Sequence, residues 1–491
     1  MNDTNNSELK NKILIIGTGI AAYSFITSYN KPSEIVIVEK GSKKISETSF
    51  SAKSHGTLML KSNTNNESFG GTSNLWSGNL VEMQDYEQDS AKNQNMNLWF
   101  LENIDLSKLY KHAWKLYNYR SALFRKSKTN LIGNFIERKI FTQRPPLKTA
   151  NKINLNEYKV YFDTEVVAIG EKNGIPFAKF KQNHSDQEFK FQFKKIVVCS
   201  GCLSAIKIIR KSIESGFIND EFLKNNLGKN YMNHPKFLIE KFIKYNDEKS
   251  FFNLRKTPHS SSFSTYSLAP NIQNESKLNN TSFAFIPNYE NESEEFKYVR
   301  MLFSNKKKFI ENPKLIFRNN LKKSVYLNKY FLPKKILNPI KIIYFSLIFL
   351  GFIKKAPKYY DLQLFLEMEP NNENIINYKA ESFESFVEVG KCEKETFRRL
   401  MEELYTVLNE LGIDYKNVST NLDCYKLEDA SHHIGGLCYS KDKKKALTDH
   451  LLRLRSTNNI HICSSAIFPT SGSFNPNLTI TALAIYLSKN I

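Results

Sequence analysis

Three stretches of this chain predict an α/β fold: a Rossmann-like parallel sheet with a β-meander, and length enough for a second domain. Lys12–Ile16 is an apolar run that turns through Gly17-Thr18-Gly19-Ile20-Ala21-Ala22 into a helical stretch. Glu34–Glu39 is a second such run, closing on an acid. Asn459–Cys463 is a third, followed by turns and the terminal apolar stretch Leu478–Leu487. Apolar runs without alternation suit strands covered on both faces. At 491 residues, 41% of them hydrophobic, the chain can fill two cores.

The formal charge of +21 favours anionic partners such as membrane lipid or acidic polymers. No zinc-finger spacing or nucleic-acid module accompanies it, so no nucleic-acid function is expected. Six cysteines in so long a chain make no disulfide framework, and no positively flanked apolar segment opens the sequence. The expected location is the cytoplasm, with membrane association as the alternative. Cys199-Ser200-Gly201-Cys202 has redox or metal spacing but no second pair. It closes the apolar run Ile196–Val198, where small residues let a ligand approach, and no metal site is expected.

In the first turn, Gly17 permits the tight bend, Gly19 lets a pyrophosphate approach the backbone, and Ala22 lets the helix pack on the strand. The helix N-terminus favours the phosphates. Glu39 lies twenty residues beyond Gly19, where a ribose hydroxyl would be held. Together these predict a bound adenine dinucleotide. The next glycine-rich stretch, Phe69–Gly78, carries Gly70, Gly71, Thr72, Ser73, Asn74 and Trp76. A nicotinamide needs no second loop of this kind. A flavin, with its ribityl chain and broad ring, needs backbone donors and a flat apolar wall. An ordinary surface loop anchored by one Trp is the competing reading.

Lys159–Tyr161, Thr164–Ile169 and Phe189–Phe193 read as a β-meander before the chain returns to the main sheet at Ile196–Cys199. Gly201–Ile206 is a second strand-to-helix turn. Asn226–Pro235 ends that segment, and His234, fixed before a proline, reads as structural. In the tail, Ser431-His432-His433-Ile434-Gly435-Gly436 and Ser471–Asn477 place a His and an Asn 43 residues apart beside backbone-shaping residues. They meet only if Asn459–Cys463 runs between two turns at one rim of a sheet, where ligand sites collect. An imidazole of ordinary pKa near ~6.5 can take an alcohol proton while an amide holds the oxygen. A buried His and a turn Asn is the plain alternative.

Taken in this order, the motifs resemble those of the glucose-methanol-choline (GMC) oxidoreductases, FAD enzymes that oxidise alcohols, and within them the sugar-oxidising branch. The resemblance spans roughly 12–235 and 425–491. It rests on Gly17-x-Gly19-x-x-Ala22 with Glu39, Gly70-Gly71-Thr72-Ser73, Val197–Ser204, Asn226-Leu227-Gly228 to His234-Pro235, His432-x-x-Gly435-Gly436 and Asn475-Pro476. It implies His432, rather than His433, as the base, with Asn475 as its active-site partner and flavin N5 as hydride acceptor. It implies FAD contacts at Gly17, Gly19, Ala22, Glu39, Gly71, Thr72, Asn74, Trp76, Val166, Gly201, Ser464, Asn475 and Pro476. Ser464 stands where many members carry Asp. Leu75 stands where some sugar oxidases carry a flavin-tethering His, so a dissociable FAD is expected.

The implied division is an FAD-binding domain at 1–235 and 425–491, and a substrate domain at 236–424 built on an antiparallel sheet. Strand-like alternation at Ser261–Leu268, Thr281–Ile286 and Asp361–Glu369, and helical spacing at Lys394–Leu411 before Gly412, agree with this. Arg300–Lys358 holds fifteen Lys or Arg against the single acid Glu311, a net +14. Inside it, Ile342–Ile353 is a twelve-residue apolar run; as a helix it would span ~18 Å against a hydrocarbon core of ~30 Å. Such a segment either packs on the substrate domain or lies on an anionic membrane. The expected donor is a carbohydrate-like hydroxyl. The alternatives are a non-sugar alcohol or sterol, or a membrane-surface flavoprotein without alcohol oxidation. The electron acceptor stays open, because quinone and protein acceptors leave no short motif.

Overall fold

Short runs of Ile and Val, apolar on both faces, align side by side in the computed structural model, which describes residues 6–44, 52–62, 64–83, 106–118, 131–143, 145–183, 185, 187–244, 252, 262–288, 295, 298–299, 338–350, 357–440, 442–473 and 475–491. The strands are β1 (Ile13–Ile16), β2 (Ile35–Val38), β3 (Lys159–Tyr161), β4 (Lys195–Val198) and β5 (Ile460–Ile462). They form one parallel sheet in the order β5-β4-β1-β2-β3, with Ile13 beside both Ile35 and Lys195. Every residue of β1 and β2 is buried. Because the strands run one way, the turns after β1, β2, β4 and β5 all emerge at the same rim.

Three helices flank this rim: α1 (Ile20–Ile26), α2 (Gly201–Glu214) and α3 (Asn477–Asn490). Thr164–Lys172, Ile175–Gln182 and Glu188–Gln192 form an antiparallel meander. Lys159–Tyr161, expected in that meander, instead extends the parallel sheet beside β2. Asp163, at φ 52, redirects the chain between the two sheets. The middle strand Ile175–Gln182 was not anticipated, although Asn173-Gly174, both at positive φ (53 and 76), is the strongest short hairpin signal a sequence carries.

The second sheet is antiparallel and ordered Lys236–Lys244, Tyr359–Phe365, Ser282–Asn288, Ser262–Leu268, Phe135–Thr142 and Asn79–Leu80. Three of its strands, Phe135–Thr142, Asn79–Leu80 and the short Leu131–Ile132 that pairs with Phe135–Thr142, come from the stretch expected in the nucleotide half. Conversely, Ser382–Val387 pairs in parallel with Ala52–Gly56. Strands far apart in the chain are thus paired side by side. Partner strands are chosen by three-dimensional register, which a linear reading does not show.

Helix Lys391–Glu410 covers this sheet with Phe397, Leu400, Met401, Leu404, Val407 and Leu408, all buried. Their spacing of three and four keeps them on one face, and each contributes roughly 1.5–3 kcal/mol by burial. Gly412 ends the segment at φ 61. Of the basic stretch, 300–337 and 351–356 lie outside the described residues; what is described is the helix Pro339–Leu350. Among the described residues, no helix is long and apolar enough to cross a membrane.

Candidate active site

The rim turns surround a cavity of about 540 Å³. At one end, Gly17 (φ 97) bends β1 so tightly that a Cβ there would sit 3.0 Å from the Cys199 carbonyl oxygen. Its N–H donates to Val38 O at 2.8 Å, fixing the turn to β2. Around Gly19 the opposite holds: a Cβ would meet nothing within 4 Å, so bare backbone faces open space. The Thr18 hydroxyl donates to the Glu39 carboxylate and accepts from Gly70 N–H at 2.8 Å. One side chain therefore ties the first turn, the end of β2 and the glycine-rich loop together. Burial pushes the Glu39 carboxyl up to about 7, while the hydrogen bonds from Thr18 and from Gly41 N–H, the latter at 2.9 Å, oppose the shift.

At the other end the catalytic candidates come from three distant segments. Met232 and Ile434 exchange backbone hydrogen bonds of 2.8 and 3.1 Å, and Gly435 N–H donates to Ser465 O at 3.0 Å. Residues 432–436 are thereby pinned between 230–232 and 464–467. Gly435 (φ 85) is required for this approach, since a Cβ there would lie 2.1 Å from Asn230 O.

His432 and Asn475 meet: Asn475 Nδ2 lies 3.1 Å from His432 Nε2. The partners of the rings assign the protons. His234 Nε2 faces two carbonyl oxygens, Gly472 O at 2.7 Å and Ser471 O at 3.2 Å, so it carries the hydrogen. His234 Nδ1 is then the acceptor and takes the Nδ1–H of His432 at 2.8 Å. That leaves the His432 Nε2 lone pair directed to Asn475 and the cavity. Burial, then the neighbouring His234, His433 and Lys236, holds the His432 imidazole well below its ordinary range. His433 has both nitrogens engaged, with Tyr231 Oη at 2.6 Å and Thr64 Oγ1 at 2.8 Å.

Of the residues singled out in the sequence, Gly17, Gly19, Glu39, Gly71, Thr72, Trp76, Val166, Gly201, His432, Ser464, Asn475 and Pro476 line this one cavity. Ala22 does not: it is fully buried in the core, where it packs the helix on the sheet. Nor does Asn74, whose side-chain N–H donates to Phe69 O at 2.9 Å and so braces the loop. The Trp76 indole is held at the wall by Leu147 O, 2.8 Å away. His234, read as structural, is the residue that orients His432. The signal was its fixed place before Pro235, but its partner was invisible at 198 residues' separation. Lys40, Ser200 and Lys207 also line the cavity and were not anticipated.

The wall fits FAD on its own chemistry. Gly19 presents bare backbone, and the buried Ser200 hydroxyl has no hydrogen-bond partner among the described residues. The N-terminus of α2 opens onto the cavity with Gly201, Cys202 and Leu203, and that of α3 with Asn477 and Ile480, bringing positive dipole ends to it. Glu39 lines the cavity at the end of β2, where it could hold a ribose hydroxyl, and Gly71, Thr72 and Trp76 line it as well, Gly71 close beside Gly19.

Residues 380–484 match the model of a family described as GMC oxidoreductase. No curated protein matches. Among solved structures, the chain is similar to a fungal aryl-alcohol oxidase (9% identity, 98% of both chains, TM-score 0.55). It is also similar to pyridoxine 4-oxidase from Mesorbium loti (10% identity, 98% of this chain and 99% of the other, TM-score 0.55). A third is an FAD-dependent oxidoreductase from Chaetomium thermophilum (11% identity, 98% of both chains, TM-score 0.53). At these identities the three share the fold, over nearly the whole of each chain.

Proposed function

We infer that the chain is an FAD-dependent oxidoreductase of the GMC type, acting on a CH–OH group of its donor. The observation that carries this reading is the shared cavity: a dinucleotide cradle and the pair of His432 Nε2 and Asn475 Nδ2 open on the same space. FAD, when bound, supplies the hydride acceptor. The donor hydroxyl takes the place of the Asn475 N–H on His432 Nε2, and the amide N–H so released holds the hydroxyl oxygen. As the proton moves to Nε2, the Nδ1–H stays on the His234 lone pair, and the ring keeps its orientation. The Ser471 and Gly472 carbonyls anchor the far end of this chain of bonds.

For the donor we propose a carbohydrate-like hydroxyl. In support, polar side chains cluster around the chain next to Asn475: the buried Arg138 and Asn280 donate to Ser473 Oγ at 2.7 and 2.9 Å. A second reading, a flat non-sugar alcohol, draws on the aryl-alcohol and pyridoxine oxidases among the structural relatives. Anaerobic bleaching of the flavin absorbance over a panel of sugars, aryl alcohols and sterols separates the two. Bleaching by no alcohol at all would overturn the oxidoreductase reading and leave a flavoprotein without this reaction.

The FAD is proposed to be held without a covalent bond. Leu75, 46% exposed and on the cavity wall beside Trp76, offers no nucleophile. Acid precipitation is expected to release the yellow colour into the supernatant; colour retained by the pellet would refute this.

A further inference from the structure

The helix Pro339–Leu350 is apolar around nearly its whole circumference, Lys341 and Ser346 being its polar residues. Such a helix ordinarily lies buried. Here only part of it does: Phe345 is 7% exposed, whereas Ile340 is 77%, Ile343 62% and Tyr344 40% exposed. Residues 340, 343 and 344 are spaced i, i+3, i+4 and so share one face. Its start is held firmly. Asn338 Oδ1 accepts from Ile340 N–H at 2.9 Å, and Asn338 N–H donates to the buried Glu295 at 3.0 Å. An apolar ridge is thus presented outward on a fixed stem.

The charge of the neighbouring sequence names the occupant. The stretch 300–358 carries fifteen of the chain's seventy Lys and Arg against one acid, with Lys334 and Lys335 before the helix and Lys354, Lys355 and Lys358 after it. Lys341, on the helix itself, is exposed. A second protein with an apolar groove would satisfy the ridge alone; an anionic bilayer satisfies both the ridge and the cations. At about 18 Å the helix is too short to span a bilayer and long enough to lie in its interface. We propose that Pro339–Leu350 docks the protein on an anionic lipid surface. This goes beyond the reaction assigned above and does not depend on it.

The test is co-sedimentation of the full-length holoprotein with vesicles of phosphatidylcholine alone or mixed with phosphatidylglycerol. Binding is expected on the mixed vesicles only, with release in high salt. Ile340→Glu with Ile343→Glu is expected to weaken it at least roughly tenfold, and Lys341→Glu by less, since one apolar pair outweighs one surface charge. Flavin absorbance should be the same in all three proteins, which shows that the fold survives. Equal binding to neutral vesicles without salt dependence, or full binding by the double variant, would overturn the proposal. So would a wild-type dimer that binds no vesicles and that the double variant dissociates, because the ridge would then be a self-association face.

Discussion

The two ends of the cavity are built in opposite ways. The cradle end is local: the Gly17–Gly19 turn, β2 and Glu39 lie within 23 residues, and its working surface is backbone. The reaction end gathers His234, His432, Ser471–Gly472 and Asn475 from three separated segments, and its working surface is side chains joined by hydrogen bonds. A local backbone site fails when a side chain intrudes. An assembled side-chain site fails when any one link is removed.

The largest expected effect comes from removing the base. His432→Ala should slow flavin reduction by the donor by about 10²–10⁴-fold in anaerobic stopped-flow, with FAD content unchanged. The cradle should show the reverse. Gly19→Val, which fills the open space beside bare backbone, is expected to yield a folded protein that purifies colourless, read from the flavin-to-protein absorbance ratio.

His234→Phe sharpens the comparison, because it keeps ring volume but removes the acceptor that assigns the His432 tautomer. A loss of roughly 10- to 100-fold in the reduction rate is expected, with FAD retained and the pH profile altered. If the rate and profile match the wild type, His234 plays only a packing part. Gly435→Ala tests the backbone link between 435 and 230 and should lower stability by about 1–3 kcal/mol, measured by denaturant unfolding.

The smallest effect is in pH. His432 and His433 are held below the ordinary imidazole range by burial, and His461, also by burial, at about 4. A histidine with a lowered folded pKa binds fewer protons folded than unfolded. Their contribution to stability should therefore be level above about pH 6.5 and fall as pH drops from there toward 4, opposed by Glu39, whose raised carboxyl gains a proton in the fold over the same range. The reduction rate should hold from pH 8 down through about 6.5 and decline only well below it, since His432 must be unprotonated to act and burial holds its pKa down.

Much of the nucleotide half was legible because its information is short-ranged. Gly17-x-Gly19, the run β1 and the acid at Glu39 each state a local requirement: a φ only glycine adopts freely, burial on both faces, a polar end to a strand. The pairing of His432 with Asn475 was legible as an expectation from their turn-forming neighbours. The Asn173-Gly174 hairpin is equally local, a positive-φ pair between two strands.

What only the tertiary structure decided is whatever depends on which distant backbone lies alongside. The sequence by itself determined the parallel strands and the tight glycine turn, and set His432 and Asn475 on turn-forming stretches, since period, turn chemistry and residue type act within a few positions. The tertiary structure decided that Phe135–Thr142 joins the antiparallel sheet, that Lys159–Tyr161 leaves the meander, and that His234 sets the tautomer of His432. Hydrogen bonds between separated segments form only when packing brings them within about 3 Å, and no linear pattern encodes that approach.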